Sequence, residues 1–264
     1  MLCSEQVLEG LAGTAPEMIQ NWVLVEYHSA WPKKIKVKDL ALSLEFRQKL
    51  EEKSKADGWK LILIRKPRAS GTKIYWAQKD LIRCTEQEGN WSWEQDEHWE
   101  ELDHPLILVC THGKRDQCCG ISGGKLFAGL HSLRPEWIWQ SSHLGGHRFA
   151  PTLLTLPDGM SYGRVPLEGA ADLLAAVSKG EFWVASYRRG LTSLPRWEQA
   201  LQIWLDEQKL SGDVFLETEQ KRAFIAQGEE VLGVQVTFQK LGTCLPSCGD
   251  SREKEIGEWI VSPL

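Results

Sequence analysis

Residues 105–120 read PLILVCTHGKRDQCCG, an apolar run that leads directly into a polar stretch containing three cysteines. The apolar run is short enough to form one buried strand that ends at Cys110. Downstream, the hydrophobic pattern and the turn residues predict a helix over 124–133, a strand over 137–142, a hairpin of strands 152–156 and 162–165, and a helix over 168–178. This alternation of elements indicates an α/β layer.

The first hundred residues repeat this order in outline. The predicted elements are a strand over 22–27, a helix from Asp39 to about Ala56, and strands over 60–65, 74–77 and 81–84. Strand, helix, strand and hairpin is the order expected of a thioredoxin-like layer. We therefore predict two α/β halves of shared topology, residues 1–100 and 101–185, in agreement with an ancient duplication.

The remaining residues, 186–264, are predicted to form a C-terminal α/β extension. Its pattern predicts a helix over 197–208 and strands over 214–217, 223–226 and 231–238. The pattern does not predict how this extension packs on the two halves.

A composition change marks the boundary between the halves. Residues 85–103 contain eight acidic side chains, no lysine or arginine, and the indoles of Trp91, Trp93 and Trp99. We interpret this segment as a surface connector whose indoles pack back on the protein body. The alternative is a segment that binds a partner.

Composition and charge exclude several classes of protein. The chain has 264 residues, is 42% hydrophobic and 25% charged, and carries a net charge of −5, which is typical of a globular protein and disfavours nucleic-acid binding. No apolar run is long enough to span a membrane, and no signal or transit peptide is predicted, so we expect a cytoplasmic protein. The basic run Lys33, Lys34, Lys36 and Lys38 is interpreted as solvated surface. The sequence does not decide between a monomer and a homodimer.

Cysteines and histidines form the most informative set of side chains. Seven cysteines in a chain expected to be intracellular favour metal binding or redox chemistry over disulfides. Cys110 ends a predicted strand, Cys118 and Cys119 follow in a predicted loop, and His143 and His147 follow the next strand. Two sulfurs and two imidazoles suit zinc or an iron-sulfur centre, and suit calcium or magnesium poorly.

The stretches around these residues resemble the sucrase/ferredoxin-like family. The matching motifs are CTHGKRDQCC at 110–119, HLGGHRFAP at 143–151 and YGR at 162–164, with weaker likeness at 10–15, 24–32 and 187–190. The resemblance covers about residues 8–190 and implies a thioredoxin-like ferredoxin domain near residues 101–185. It also implies a [2Fe-2S] cluster held by two cysteines and two histidines.

By position, the resemblance implies Cys110, Cys119, His143 and His147 as the ligands, with Cys118 as the alternative to Cys119. Imidazole ligands in place of thiolates raise the potential of such a cluster. Where the outer imidazole nitrogens reach solvent, uptake of an electron can be coupled to uptake of a proton. We therefore expect electron transfer or redox sensing with an unidentified redox partner protein, rather than an enzyme with its own substrate.

Two other functions stay open from the sequence. The same four ligands suit a structural zinc ion, and Cys118 or Cys119 could serve as the nucleophile of a metal-free thiol oxidoreductase. Against the second, no C-x-x-C motif begins a helix, and nothing in the sequence explains a lowered thiol pKa. We interpret Cys244 and Cys248 as reduced thiols without a role of their own.

Overall fold

The computed structural model describes residues 3–5, 9–67, 71–88, 91–94, 96–245, 247–248 and 251–264. The strands are β1 Asn21–Glu26, β2 Trp59–Arg65, β3 Lys73–Gln78, β4 Leu81–Glu86, β5 Glu100–Glu101, β6 Leu106–Cys110, β7 Ile138–Ser141, β8 Leu153–Leu156, β9 Met160–Tyr162, β10 Arg188–Leu191, β11 Asp213–Glu217, β12 Arg222–Gln227, β13 Glu230–Cys244 and β14 Lys254–Pro263. The α-helices are α1 Leu44–Ser54, α2 Gln117–Leu133, α3 Ala170–Ser178 and α4 Arg196–Gln208. Strands β1 to β10 form one sheet and β11 to β14 a second, so the predicted α/β class is confirmed.

The two predicted halves have the same strand order within the first sheet. In the first half, β1 lies between the parallel strand β2 and the antiparallel strand β3, and β4 flanks β3. In the second half, β6 lies between the parallel strand β7 and the antiparallel strand β8, and β9 flanks β8. The predicted shared topology is therefore present.

The halves join where β2 pairs with β7 in antiparallel register, through Ile64 opposite Ser141 and Arg65 opposite Gln140. Ile64 is opposite Glu26 in the first half, and Ser141 is opposite Cys110 in the second. Glu26 and Cys110 therefore occupy equivalent places at the ends of β1 and β6. The join makes one continuous sheet of both halves.

Helix α1 begins later than the sequence indicates. Asp39 does not cap it, because Asp39 lies in a short 3-10 turn, Val37–Asp39, that ends in extended backbone at Leu40. Ser43 is the cap, and its Oγ accepts a hydrogen bond from the N–H of Phe46 at 3.3 Å. The predicted apolar face is present, since Phe46 and Leu50 are buried.

Helix α2 begins at Gln117 rather than at residue 124, so Cys118 and Cys119 lie in its first turn and not in a loop. Asp116 caps the helix, and its carboxylate accepts a hydrogen bond from the N–H of Cys118 at 3.3 Å. Glycines lower the helix propensity of this first part of the helix, so propensity alone does not predict it. Gly123 is required there because a Cβ atom at that position would overlap the carbonyl oxygen of Cys110.

This close approach gives a testable pair of substitutions. Gly123→Ala is expected to lower the free energy of unfolding by about 1–3 kcal/mol, because the added methyl group pushes α2 away from β6. Gly124→Ala is the matched control, since a Cβ atom there meets no described atom within 4 Å. Its higher helix propensity is expected to stabilise the protein by up to about 1 kcal/mol. Urea denaturation measures both, and equal effects of the two substitutions would contradict the packing argument.

The side chains of β6 alternate between the two faces of the sheet, and this alternation decides on which face Cys110, the first candidate ligand, lies. Ile107 and Val109 pack against Leu126 and Leu130 of α2. Successive strand residues point to opposite faces. Cys110 therefore lies on the other face, in the same buried cluster as the two cysteines of α2.

The acidic connector packs on the first half as predicted. Trp91, Trp93 and Trp99 are buried, and their rings pack against one another and against Trp59 and Trp76. The indole N–H of Trp93 donates to the carbonyl oxygen of Lys49 at 3.1 Å. Residues 89, 90 and 95 of the predicted connector lie outside the described residues.

The C-terminal sheet is larger than predicted. The sequence pattern indicates an end near Phe238, but β13 continues to Cys244 because β14 pairs with it as far as Lys254. In β14 only Gly257 is buried, so the strand lacks the usual alternation of buried and exposed side chains. The loop of this hairpin brings Ser247 and Cys248 to the N-terminal end of α2.

Helices α3 and α4 begin and end within two residues of their predicted bounds. Leu173 of α3 packs in the cluster beneath α2, whereas Trp197 and Leu201 of α4 pack against the second sheet. Among the residues that the structure describes, no helix has both the length and the apolar character needed to cross a bilayer.

Candidate metal centre

The thiols of Cys110 and Cys119 meet at the carboxyl end of β6. Cys110 is the last residue of this strand, and Cys119 lies in the first turn of α2; both are buried. The cap formed by Asp116 starts the helix directly beside the strand end, which turns Cys119 toward Cys110. Their sulfur atoms lie within 4.8 Å of each other.

His143 completes this group. It follows β7, and its Nδ1 lies 3.9 Å from Sγ of Cys110 and 3.9 Å from Sγ of Cys119. The three donor atoms all lie within 4.8 Å of one another. The structure thus brings three of the four predicted ligands together.

His112 holds the backbone of His143 in position through a hydrogen bond. Its Nδ1 accepts a hydrogen bond from the backbone N–H of His143 at 3.2 Å, so this ring carries its proton on Nε2. The ring of His112 is buried and lies edge-on to Trp31, with ring centres 5.7 Å apart. Trp31 belongs to the first half, which therefore forms part of the wall of the site.

His147 lies beside the group, with its ring centre 5.4 Å from that of His143. Its Nδ1 faces Asp116, 3.3 Å from Oδ2, and is 3.7 Å from Sγ of Cys3. An ionised carboxylate only accepts hydrogen bonds, so the proton of His147 is assigned to Nδ1. This leaves Nε2 as the nitrogen with a free lone pair.

A buried arginine holds the turn between the two histidines. Gly145 and Gly146 have φ values of 94° and 72°, which suit glycine. The guanidinium of Arg189 donates to the carbonyl oxygen of Gly145 at 3.0 Å and also to the carbonyl oxygen of Thr14. Burial lowers the pKa of Arg189 to about 9. A side chain at Gly146 would overlap this guanidinium.

Hydrogen bonds among the sulfurs change their acidities. Hydrogen bonding between the thiols of Cys110 and Cys119 holds the pKa of Cys110 well below its ordinary value and raises the pKa of Cys119. Hydrogen bonding from Cys119 lowers the pKa of Cys118 to about 6, His147 adds to the effect, and burial opposes it. The structure thus supplies a reason for a lowered thiol pKa that the sequence does not. Because Cys118 is fully buried, it is poorly placed to attack a substrate as a free nucleophile.

Cys118, the alternative to Cys119, faces a different set of atoms. Its Sγ lies 2.9 Å from Oδ1 of Asp116 and 3.5 Å from Sγ of Cys3. Cys248 also joins this second set, with its Sγ 3.5 Å from that of Cys3. The structure thus gives Cys248 neighbours that the sequence does not indicate, whereas Cys244 lies apart, beside Leu11 and Phe149.

A cavity of about 510 Å³ opens next to the group. It is lined by both His112 and His143 and by the basic residues Lys33, Lys34, Lys36, Lys60 and Arg115. Three lysines of the basic run therefore face this cavity, and solvent reaches the ring of His143 from it.

Sequence reasoning missed Cys3, Asp116, Cys248 and Arg189 as members of the site. Asp116 alone has a local signal, because aspartate is a preferred capping residue, but the helix predicted from the pattern begins only at residue 124. Arg189 lies in the YRRG stretch, which marks resemblance but indicates no contact. Cys3 and Cys248 lie 115 and 130 residues from Cys118 in the sequence, so no spacing connects them.

Comparison with known proteins gives one family. The model of the sucrase/ferredoxin-like proteins matches residues 11–190. The chain is similar to Altered inheritance of mitochondria protein 32 of Candida glabrata, with 26% identity over 111 residues, 36% of this chain and 36% of that protein. The protein of the same name from Eremothecium gossypii is 29% identical over 108 residues, 35% of this chain and 34% of that protein. The matched region thus spans about a third of the length of these curated relatives.

Among solved structures, the chain is similar to the wild-type thioredoxin-like [2Fe-2S] ferredoxin from Aquifex aeolicus. The identity is 17% and the TM-score 0.28, with 33% of this chain and 97% of that chain covered. A further structure of a thioredoxin-like [2Fe-2S] ferredoxin from this organism has 17% identity and a TM-score of 0.29, with 33% and 91% covered.

Proposed function

Because the chain belongs to the sucrase/ferredoxin-like family, we propose that it is a one-electron carrier with a [2Fe-2S] cluster bound by Cys110, Cys119, His143 and His147. The observation that carries this proposal is the convergence of two buried thiols and an imidazole nitrogen within 4.8 Å of one another. These residues come from a strand end, a helix start and a loop that are distant in the sequence.

The donor atoms fit such a group. Thiolates and neutral imidazoles are the ligands of mixed iron-sulfur centres. The hydrogen bond between the two thiols already favours a thiolate at Cys110, which is the form that binds iron. His147 has its Nδ1 engaged by Asp116, which leaves Nε2 as its donor nitrogen, in the arrangement common for metal-binding histidines.

Once bound, a [2Fe-2S] cluster takes up and releases single electrons. The residues around it would set how partners and protons approach. His143 lines the open cavity, so solvent can approach it from there. The lysines and Arg115 make the mouth of the cavity positive, which favours docking of an acidic redox partner.

The first test uses anaerobically purified full-length protein. We expect about two irons per chain, visible absorption, and an electron paramagnetic resonance signal after reduction. His147→Cys is expected to change that signal and to lower the midpoint potential by on the order of 100 mV, because a thiolate adds negative charge to the centre.

His104→Cys is the matched control, since His104 directly follows the connector and pairs with Asp103 away from the site. Its signal and potential should equal those of the wild type. If His147→Cys were also unchanged, that imidazole would be excluded as a ligand. If the protein were colourless and lost its zinc when Cys110 is replaced, the proposal of an electron carrier would be wrong. The function would then be that of a structural zinc site.

A further inference from the structure

A second group of metal-binding side chains lies at the N-terminal end of α2. Sγ of Cys3 lies 3.5 Å from Sγ of Cys118 and 3.5 Å from Sγ of Cys248. Oδ1 of Asp116 lies 2.9 Å from Sγ of Cys118 and 3.9 Å from Sγ of Cys3. All four donor atoms lie within 4.8 Å of one another. We propose that these residues bind one zinc ion, at a position distinct from that of the proposed iron-sulfur cluster.

The distances suit tetrahedral zinc. With zinc–sulfur bonds of about 2.3 Å, two sulfurs of a tetrahedral site stand about 3.8 Å apart. The two sulfur pairs around Cys3 are at 3.5 Å, so a shift of a few tenths of an ångström accommodates the ion. Three sulfurs and one carboxylate oxygen select zinc over calcium and magnesium, which prefer oxygen ligands.

The burial of three of these four residues is a second reason to expect a bound cation. Cys3, Asp116 and Cys118 are 3%, 4% and 0% exposed. A buried carboxylate beside three sulfurs is costly without a cation. A zinc ion at this point supplies the missing positive charge.

Backbone and side-chain donors already surround the ligands. Oδ2 of Asp116 accepts hydrogen bonds from the hydroxyl of Ser247 at 2.6 Å and from the N–H of Cys248 at 3.1 Å. The N–H of Cys3 donates to Sγ of Cys248 at 3.4 Å. Such outer contacts orient the donor atoms of metal sites before the ion binds.

The three thiols come from segments that are distant from one another in the sequence. Cys3 lies in the N-terminal 3-10 turn, Cys118 in α2, and Cys248 in the loop between β13 and β14. A disulfide cannot join three sulfurs, and all seven cysteines are free. A shared zinc ion would fasten the N-terminus and the C-terminal hairpin to the half that carries the candidate cluster ligands.

The test compares zinc and iron in the same samples. Full-length protein is purified anaerobically, dialysed with Zn²⁺ and then freed of unbound metal, and both metals are measured by mass spectrometry. The wild type is expected to retain about one zinc per chain. Cys248→Ser should lose zinc about ten-fold or more and keep its iron, whereas Cys110→Ser should lose iron and keep its zinc.

Cys244→Ser is the matched control, because Cys244 lies in the same hairpin but outside both groups of donor atoms. It should retain zinc at the wild-type level. Zinc K-edge absorption of the wild type should show three sulfur neighbours at about 2.3 Å, and it needs no variant to fold. A wild type without bound zinc, zinc retained by Cys248→Ser, or a Cys3–Cys248 disulfide in the anaerobic protein would each overturn the proposal.

Discussion

Replacing Cys119 with serine is expected to remove most of the iron from the purified protein, by about ten-fold or more, together with its visible absorption. The thiol of Cys119 is buried and lies 3.9 Å from Nδ1 of His143, in the same group of donor atoms as the thiol of Cys110. A serine hydroxyl is a far poorer ligand for iron than a thiolate. Iron analysis and absorption spectra of wild type and variant measure the effect.

Two other serine variants separate the role of a ligand from the effect of losing any buried thiol. Cys84→Ser removes an equally buried cysteine from β4, distant from the site, and should keep its iron. Cys118→Ser removes the neighbouring thiol that faces Cys3 and Asp116, and it should also keep its iron. Loss of iron in Cys118→Ser with retention in Cys119→Ser would reverse the assignment.

Arg189→Met is expected to lower the free energy of unfolding by about 3 kcal/mol or more. The guanidinium is 2% exposed and donates to the carbonyl oxygens of Thr14 and Gly145 and to Oγ of Ser161. Methionine fills similar space but leaves these buried and half-buried acceptors without their donor, at about 1–3 kcal/mol each where water does not replace it. The same change frees the turn that carries His143 and His147, so iron binding should weaken as well.

Arg196→Met is the comparison for this variant. Arg196 is exposed and pairs with Glu17 at 3.2 Å, and such surface pairs contribute at most about 1 kcal/mol. Chemical denaturation of both variants measures the difference in the free energy of unfolding. Equal small losses in the two proteins would show that the buried hydrogen bonds of Arg189 do not stabilise the turn.

Much of the fold is predictable from the sequence because its strands are short apolar runs bounded by turn residues. Strands β6, β7 and β8, the place of α3 and the repeated order in the first half all follow from that pattern, whereas β9 spans Met160–Tyr162 rather than the predicted 162–165. The start of α2 does not. Glycines at 120, 123 and 124 lower helix propensity, and the tertiary contact with β6 that requires Gly123 is not visible in a local pattern.

The candidate site is predictable only in part, for a similar reason. Cys110, Cys119 and His143 follow predicted elements of one layer, so their convergence can be expected. The orientation of His147 toward Asp116 depends on a cap that forms only when α2 begins at Gln117. Cys3 and Cys248 reach the site through the N-terminus and a hairpin whose second strand, β14, has no clear sequence signal.

The union of β2 with β7 also limits how two molecules can assemble. Ile64 and Ser141 hold equivalent places and face each other, so the seam has the symmetry of a two-fold dimer interface although both sides belong to one polypeptide. A second copy therefore cannot extend the sheet at β7, and the open borders of the first sheet are β5 and β10. Because Glu26 stands where the other side has Cys110, this internal pair is asymmetric in chemistry, and candidate metal ligands lie at one of the two equivalent strand ends.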